Sequence, residues 1–513
     1  MYDIDNSTMK IFRSEQIRQI DDYTIRNEPV SSIDLMERAA HQIYKWLVSR
    51  FDRTYHIIVI AGPGNNGGDG LAVARMLATD RYDIDLFYVK FSDNTTSDWE
   101  INKVRLEKET TLKFNILTKI GEFPVISDGD MIIDAIFGSG LSRPVQGLAA
   151  EVIGQINRSG VPVISIDIPS GLSGEDNSQS DPENVVQADF TLSFQFPKLA
   201  FMFPENERFA GDWTILPIGL DAGIIERTDT PYTLIDYFLI KSLLKPRKKF
   251  DHKGSFGHGL LIGGSYGKMG AVVLGAKASL RTGIGLITCH IPASGNLILQ
   301  CAVPEAMASH DSSEKIISSV PATDNYSAIG VGPGIGIAAE TQNALHDLII
   351  KHKKPLVIDA DGLNILSENK KWLDLLTEGT ILTPHPKEFE RLAGKTSDSF
   401  SRLKRQIEFS TNYKCIIVLK GAHTSLTAPD GRVWFNSTGN PGMATGGSGD
   451  VLTGMILSLL AQGYNPLDAA LTGVFLHGLA GDEAAAKSCM ESLIASDIIR
   501  EIGTAYNKIR EYN

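Results

Sequence analysis

The chain has 513 residues, 42% hydrophobic and 21% charged. That composition excludes a largely disordered polypeptide and leaves enough apolar material for several domain cores. The 61 acidic and 49 basic residues give a net charge of −12, which argues against general nucleic-acid or membrane-surface binding.

The cysteines at 289, 301, 415 and 489 show no CxxC spacing, so neither a disulfide framework nor a zinc site is expected. The first residues lack an apolar leader core, and no apolar run approaches the roughly 20 residues that span a bilayer. The expectation is a cytoplasmic protein with small-molecule partners and neither nucleic acid nor membrane as partner.

Residues 32–51 read as an amphipathic helix, with Asp34 and Glu37 as a capping box. Short apolar runs follow at 56–61, 84–90, 131–137, 162–168, 188–196 and 213–218, separated by helical stretches. Such runs predict a parallel sheet covered on both faces, a Rossmann-like doubly wound α/β domain. The pattern breaks over 221–235, and the domains are placed at 1–225 and 226–513. A second alternating series runs through 259–263, 286–291, 328–331, 355–360, 381–383 and 415–420. A hairpin follows, with strands at 424–428 and 432–435 around Pro429-Asp430-Gly431. Helices are expected at 450–462, 466–486 and 496–510.

The glycine clusters lie where predicted strands end. Residues 62–70 read GPGNNGGDG, ahead of a helix expected at 71–78. The match to GxGxxG suits phosphate, and a plain tight turn fits it as well. Asn65, Asn66 and Asp69 add polar side chains that a pyrophosphate cradle does not need. The next strands end in DAIFGSGLSRP (134–144) and SIDIPSG (165–171). Ligands bind beyond the carboxyl ends of strands in doubly wound sheets. Asn66, Asp134 and Ser170 offer hard oxygen ligands for a small cation. Asp167 is either an acid–base group or a turn-capping aspartate. Arg143 is either a phosphate contact or a surface residue.

These three motifs, in this order, resemble the NAD(P)H-hydrate epimerase domain over about residues 10–220. The resemblance implies interconversion of the R and S epimers of hydrated NADH or NADPH, with potassium (K+) in the site. It implies that Asn65, Asn66, Gly67, Gly68, Asp69, Gly138, Ser139, Gly140, Leu141, Ser142, Arg143, Pro144 and Asp167 bind the hydrate. Asn66, Asp134 and Ser170 would hold potassium, with Asp167 as the acid–base residue.

Late in the second series stands GNPGMATGGSGDVLTG (439–454). Gly446, Gly447 and Gly449 lead into a helix, where free N–H groups stabilise a transferring phosphoryl group. Asp450 is placed to take a proton from a substrate hydroxyl. Lys420-Gly-Ala-His-Thr424 supplies phosphate contacts, and Thr383-Pro-His-Pro presents His385. Asp359 and Asp361 either help to place magnesium or cap their loop. Residues 263–271 contain no P-loop.

DADGLN, TPHPKEF, KGAHT and the 439–454 segment resemble the ADP-dependent NAD(P)H-hydrate dehydratase domain, a ribokinase-like α/β fold, over about 236–505. The resemblance implies dehydration of the S epimer with magnesium (Mg2+) and ADP as cosubstrate, giving NAD(P)H, AMP and phosphate. Lys420, Gly421, Ala422, His423 and Thr424, with Gly446, Gly447, Ser448 and Gly449, would bind the nucleotide. Ala271, Gly334, His385 and Asp450 would line the hydrate. The partners are then NAD(P)HX and ADP, and a homo-oligomer is expected. The glycine loop alone also fits a ribokinase-type small-molecule kinase fused to a nucleotide-binding regulator.

Overall fold

A computed structural model describes residues 9–28, 30–141 and 143–512. The chain divides into two compact units, Met1–Thr230 and Pro231–Asn513.

The first unit holds seven parallel strands among the described residues: β1 (His56–Ala61), β2 (Asp83–Val89), β3 (Phe114–Leu117), β4 (Asp130–Ala135), β5 (Val163–Ile166), β6 (Phe190–Phe194) and β7 (Asp212–Leu216). Their order is β3-β2-β1-β4-β5-β6-β7. Alternate residues of a strand face opposite sides. Ile57 and Val59 pack with α2 (Ser32–Val48), α3 (Asn65–Thr79) and α4 (Ser97–Glu109). Ile58 and Ile60 pack with Val152, Ile153 and Ile156 of α5 (Leu148–Asn157). Both faces are covered, as the continuous apolar strands require. The order reverses between β1 and β4, so their outgoing loops open the crevice in which such sheets bind ligands.

Three local readings are corrected. The cap of α2 is Ser31, whose hydroxyl accepts from the Asp34 N–H at 3.3 Å. Glu37 is instead ion-paired with Arg75 and Arg105. Helix α3 starts at Asn65 rather than at residue 71, because Gly67 and Gly70 let it lie directly on the sheet. A Cβ on Gly67 would stand 1.9 Å from the Gly62 carbonyl oxygen. Strand β3 escapes the sequence pattern, since this edge segment carries Asn115 and an exposed Ile116.

In the second unit, the 221–235 break hides β8 (Tyr232–Ile235), a four-residue strand whose apolar alternation follows directly on Thr230-Pro231. The further strands are β9 (His258–Ile262), β10 (Leu286–Ile291), β11 (Met307–His310), β12 (Ala328–Val331), β13 (Leu356–Ile358), β14 (Ile381–Leu382), β15 (Ile416–Leu419), β16 (Ser425–Thr427) and β17 (Val433–Asn436). They run in the order β8-β17-β16-β15-β14-β13-β12-β9-β10-β11. Strands β9 to β15 pair in parallel, and β16 is antiparallel to both neighbours. The hairpin turns at Gly431, φ 85°.

One face is packed by α6 (Met269–Thr282), through Val272 and Ala276, and by α9 (Ser448–Ala461), through Val451 and Met455. The other is packed by Leu345 and Leu348 of α7 (Ala339–Lys351) and Phe389 of α8 (Pro386–Ala393). α10 (Pro466–Lys487) adds Phe475 to the first face. This is the ribokinase-like α/β arrangement the motifs imply. No described helix is long and apolar enough to cross a membrane.

Candidate functional site

In the first unit, the chain leaving β4 lies against the start of α3. Asn66 Nδ2 donates to the Phe137 carbonyl at 2.9 Å, and Gly138 is glycine because a Cβ would meet Asn66 Cβ at 3.3 Å. Asp134 is fully buried at the end of β4. It accepts from Ser170 Oγ at 2.5 Å, Ser170 N–H at 2.8 Å and Ser165 Oγ at 2.7 Å. Burial pushes its pKa up, opposed by these bonds. No cation pairs with it among the described residues. Ser170 bonds both Asp134 and the Phe137 main chain, which Asn66 also contacts, so a buried carboxylate without a positive partner shares one loop with a hydroxyl and an amide oxygen, a donor set that a monovalent cation would complete.

Asp167 follows β5 at φ 65°, a conformation costly for a non-glycine residue and concentrated at functional sites. Its Oδ1 is 2.8 Å from Lys198 Nζ and accepts from the Phe194 N–H at 3.2 Å. Lys198 is 2% exposed. Asp69 sits within α3, pointing into the same region. Burial first, then the charges of Asp167, Asp21 and Asp98, raise its pKa well above the carboxylate range. Asp21, on α1 (Ser14–Asn27), is pushed to about 7 by burial and by Asp167, against the pull of Lys198.

Asn65, Gly140, Arg143 and Pro144 are exposed, whereas Gly67 and Gly68 are buried in α3. These two glycines serve helix packing: Gly68 sits against the Met36 sulfur, which a Cβ would meet at 3.0 Å. Gly138, Ser139 and Leu141 are half-buried, and Leu141 N–H closes a turn on Gly138 O at 3.3 Å. Ser142 lies outside the described residues.

In the second unit, Gly447 (φ 92°) turns the chain into α9. Its neighbour Gly449 faces a charged pair, since a Cβ there would stand 3.3 Å from Lys420 Nζ and 3.6 Å from Asp359 Oδ2. Lys420 Nζ is 2.9 Å from Asp359 Oδ1, and Thr453 Oγ1 donates to Asp359 Oδ2 at 2.7 Å. Asp359 therefore positions the lysine. Among the described residues no group of three or more His, Cys, Asp or Glu side chains is arranged to hold a metal. Magnesium would thus be carried by phosphate oxygens, with at most a carboxylate or two of the chain.

Asp450 is pushed up to about 6 by burial and by Asp359, against the pull of Lys420. His477 of α10 sits against the glycine loop, its Nε2 3.0 Å from the Ser448 carbonyl, and burial lowers its pKa to about 4.

The remaining candidates take local roles. Thr424 Oγ1 accepts from the Gly421 N–H at 3.2 Å and closes that turn. Gly421 and Ala422 are exposed, Gly446 has open space beside it, and His423 Nδ1 lies 3.3 Å from Asn436 O. His385 caps α8: its Nδ1 accepts from Lys387 N–H at 3.1 Å and Glu388 N–H at 3.3 Å, leaving Nε2 3.5 Å from Glu388. Lys420 N–H bonds to Pro384 O at 2.9 Å, which ties this loop to the lysine loop. Gly334 (φ 65°) and Ala271 are brought together, a Cβ on the glycine lying 3.3 Å from Ala271 Cβ. Lys268, beside them, pairs with Asp361 at 3.1 Å.

The sequence reading missed Asp21, Lys198, Thr453, Lys268 and His477. A signal existed for two of them. Asp21 lies on the face of α1 that buries Ile17, Ile20 and Thr24, and Lys198 sits inside the apolar run Phe196–Met202.

Two family models match: the YjeF-related protein N-terminus over residues 32–200 and NAD(P)H-hydrate dehydratase over residues 259–504. A bifunctional NAD(P)H-hydrate repair enzyme of Thermofilum pendens is 34% identical, with 98% of this chain and 97% of that protein covered. Its counterpart in Moorella thermoacetica is 32% identical over 96% and 95% of the two chains. Among solved structures, the ADP/ATP-dependent NAD(P)H-hydrate dehydratase of Bacillus subtilis, co-crystallised with ATP and Mg2+, is 28% identical at a TM-score of 0.48, covering 54% of this chain and 98% of that one. The chain belongs to the bifunctional NAD(P)H-hydrate repair enzyme family.

Proposed function

We propose that the protein repairs hydrated nicotinamide nucleotides. The first unit interconverts the R and S epimers of NAD(P)HX, and the second dehydrates the S epimer to NAD(P)H at the expense of ADP. Family membership over nearly the whole chain supports the pair of activities. The observation that carries the dehydratase residues is Asp450, a carboxylate tuned to about 6 beside Gly449 and the Lys420–Asp359 pair.

Hydroxide leaves a saturated carbon poorly, and phosphate leaves readily. Asp450 takes the proton from the hydrate hydroxyl, which then attacks the terminal phosphoryl group of ADP. The N–H groups of Gly446–Gly449 and the Lys420 ammonium stabilise the charge that develops on that group. Magnesium supplies further charge neutralisation on the phosphates. Asp359 holds Lys420 in place, and Thr453 holds Asp359. AMP leaves the attacked phosphorus, phosphate then departs as the ring nitrogen's lone pair forms a C=N bond, and loss of a proton from the adjacent ring carbon restores the ring double bond and returns the electrons to nitrogen.

In the first unit, Asp167 is the acid–base residue, and Asn66, Asp134 and Ser170 would hold potassium, which would supply positive charge to buried Asp134. Residues 65–69 and 138–144, with Asp167, bind the hydrate. Domains at 1–225 and 226–513, a cytoplasmic setting and a homo-oligomer remain part of this reading.

Recovery of nicotinamide absorbance from a mixture of NADHX epimers tests the assignment, with Mg2+ and ADP beside an ATP control. Full recovery with AMP formation is expected. Recovery that stops at the S fraction would remove the epimerase role. A stable phosphorylated product in place of AMP and phosphate would favour the small-molecule kinase.

A further inference from the structure

Epimerisation at a carbon bearing both a hydroxyl and a ring nitrogen needs two proton transfers. One lets the hydroxyl leave as water, and the other takes a proton from the water that returns. Asp167 is held against a buried ammonium at 2.8 Å, which suits an acceptor and leaves the donor unassigned.

The surroundings of Asp167 supply a donor. Asp21 lies on the face of α1 whose Ile17 and Ile20 pack in one cluster with Phe196, two residues before Lys198, and the charges of Asp167 and Lys198 act on it. Asp69, only 8% exposed, comes from α3. Neither carboxylate has a hydrogen-bond or ion-pair partner among the described residues, although every oxygen of nearby Asp134 is satisfied. Unpartnered carboxylates on a buried face are costly, and they gather at functional sites. The strained backbone of Asp167 marks the same place.

We propose that Asp21 is the second proton-transfer residue of the epimerase centre, giving a proton to the hydrate hydroxyl while Asp167 accepts one from solvent water. The proposal rests on Asp167 being the acid–base residue of that site. In balance, the Asp21 proton goes to the hydroxyl and the C–O bond breaks. Water leaves as the ring nitrogen's lone pair forms a C=N bond. Water adds to the other face, the C–O bond re-forms, its proton passes to Asp167 and the electrons return to nitrogen. Each event moves one proton from Asp21 to Asp167, so the reverse epimerisation begins from the state the forward one leaves. The substrate oxygen is exchanged for a solvent oxygen.

The charged groups facing Asp21 are Asp167 after β5, Lys198 after β6, Asp69 on α3 and Asp22 on α1 itself; Asp98 on α4 acts on Asp69. With Asp21 at about 7, a donor role makes epimerisation fall as pH rises through that value.

The test uses the full chain without nucleotide, so that the dehydratase is idle, and follows separated NADHX epimers and 18O uptake from labelled water. Wild type is expected to lose rate between pH 6 and pH 8, with a midpoint near 7. Asp21→Asn is expected to lower kcat about 100-fold or more, with KM within about threefold, to lose 18O uptake in step and to lack the alkaline limb. Asp21→Glu should keep the limb. The asparagine is isosteric with the protonated acid and loses no hydrogen bond, so the fold is expected to hold. The wild-type profile needs no variant: a flat rate between pH 6 and pH 8 overturns the proposal. So does an Asp21→Asn enzyme that is fast, or slow with the limb intact. An active Asp167→Asn enzyme overturns the underlying reading instead. An inactive one beside an unaffected Asp21→Asn enzyme overturns this inference alone.

Discussion

The two halves solve opposite electrostatic problems around buried aspartates. In the second unit two carboxylates near the glycine loop are paired: Asp359 with Lys420 and Thr453, Asp361 with Lys268 and the Gly336 N–H. That leaves Asp450 alone to be tuned by burial. In the first unit one lysine pairs with Asp167 and pulls on Asp21, and Asp21 and Asp69 have no hydrogen-bond or ion-pair partner of their own among the described residues. A centre that moves phosphoryl groups needs fixed positive charge and one base. A centre that only shuffles protons needs groups able to hold and release them. The pairing pattern follows the chemistry.

The sharpest break of that comparison is Asp450→Asn. It removes the proposed base of the second site, so dehydration is expected to fall by about two to four orders of magnitude, with epimerisation unchanged. Recovery of absorbance from pure S-NADHX with ADP measures the first, and separation of epimers measures the second. A dehydration rate within about threefold of wild type would remove Asp450 from the mechanism.

Glycines sharpen it further. At Gly67 the obstruction is backbone, 1.9 Å from the Gly62 carbonyl oxygen, and backbone cannot yield. Gly67→Ala is expected to unseat α3, abolish epimerisation and lower the first unit's melting transition, while dehydration persists. At Gly449 the obstruction is the end of a lysine chain at 3.3 Å. Gly449→Ala should therefore fold normally and weaken nucleotide binding about tenfold, since only the Lys420 geometry shifts. Calorimetric melting and ADP titration separate the two outcomes.

How much of this was legible follows from what a sequence pattern encodes. The buried parallel strands announce themselves, because a strand covered on both faces is a continuous apolar run. Edge segments such as Phe114–Leu117 and Met307–His310 are half polar and leave no such mark. Glycine clusters at strand ends point to both candidate sites, yet not to which glycines would serve ligand and which serve packing. Gly67 and Gly68 sit inside α3 against Gly62 and Met36, a three-dimensional closeness that spacing along the chain does not carry. Side chains meeting across the fold, such as Lys198 on Asp167 and His477 on Ser448, depend on residues 31 and 29 positions apart.

The halves should also answer pH in opposite directions. A base must be unprotonated, so dehydration is expected to rise as pH increases through about 6, the value to which burial brings Asp450. An Asp21 donor must be protonated, so epimerisation should fall through about 7. Both limbs, measured on one preparation with each activity assayed alone, give a narrow window near pH 6 to 7 in which both run. Parallel limbs would mean that one of these two carboxylates has been misassigned.

The smallest expected effect concerns stability and reads the same carboxylate without any substrate. Asp21 rises from the ordinary 3.8 to about 7 on folding. Between those values the folded chain keeps a proton that the unfolded chain has lost, so stability falls as pH rises through the window and the full cost is present above about 7. The difference sets a ceiling of about 4 kcal/mol. Asparagine carries no charge to bury, so Asp21→Asn should unfold later than wild type at pH 8 and at nearly the same temperature at pH 4. Gaining stability while losing epimerisation is the behaviour expected where a fold tolerates an unfavourable group for its chemistry. An Asp21→Asn chain that melts earlier than wild type at pH 8 would mean that Asp21 makes a stabilising contact, and the contrast between paired and unpaired halves would no longer hold.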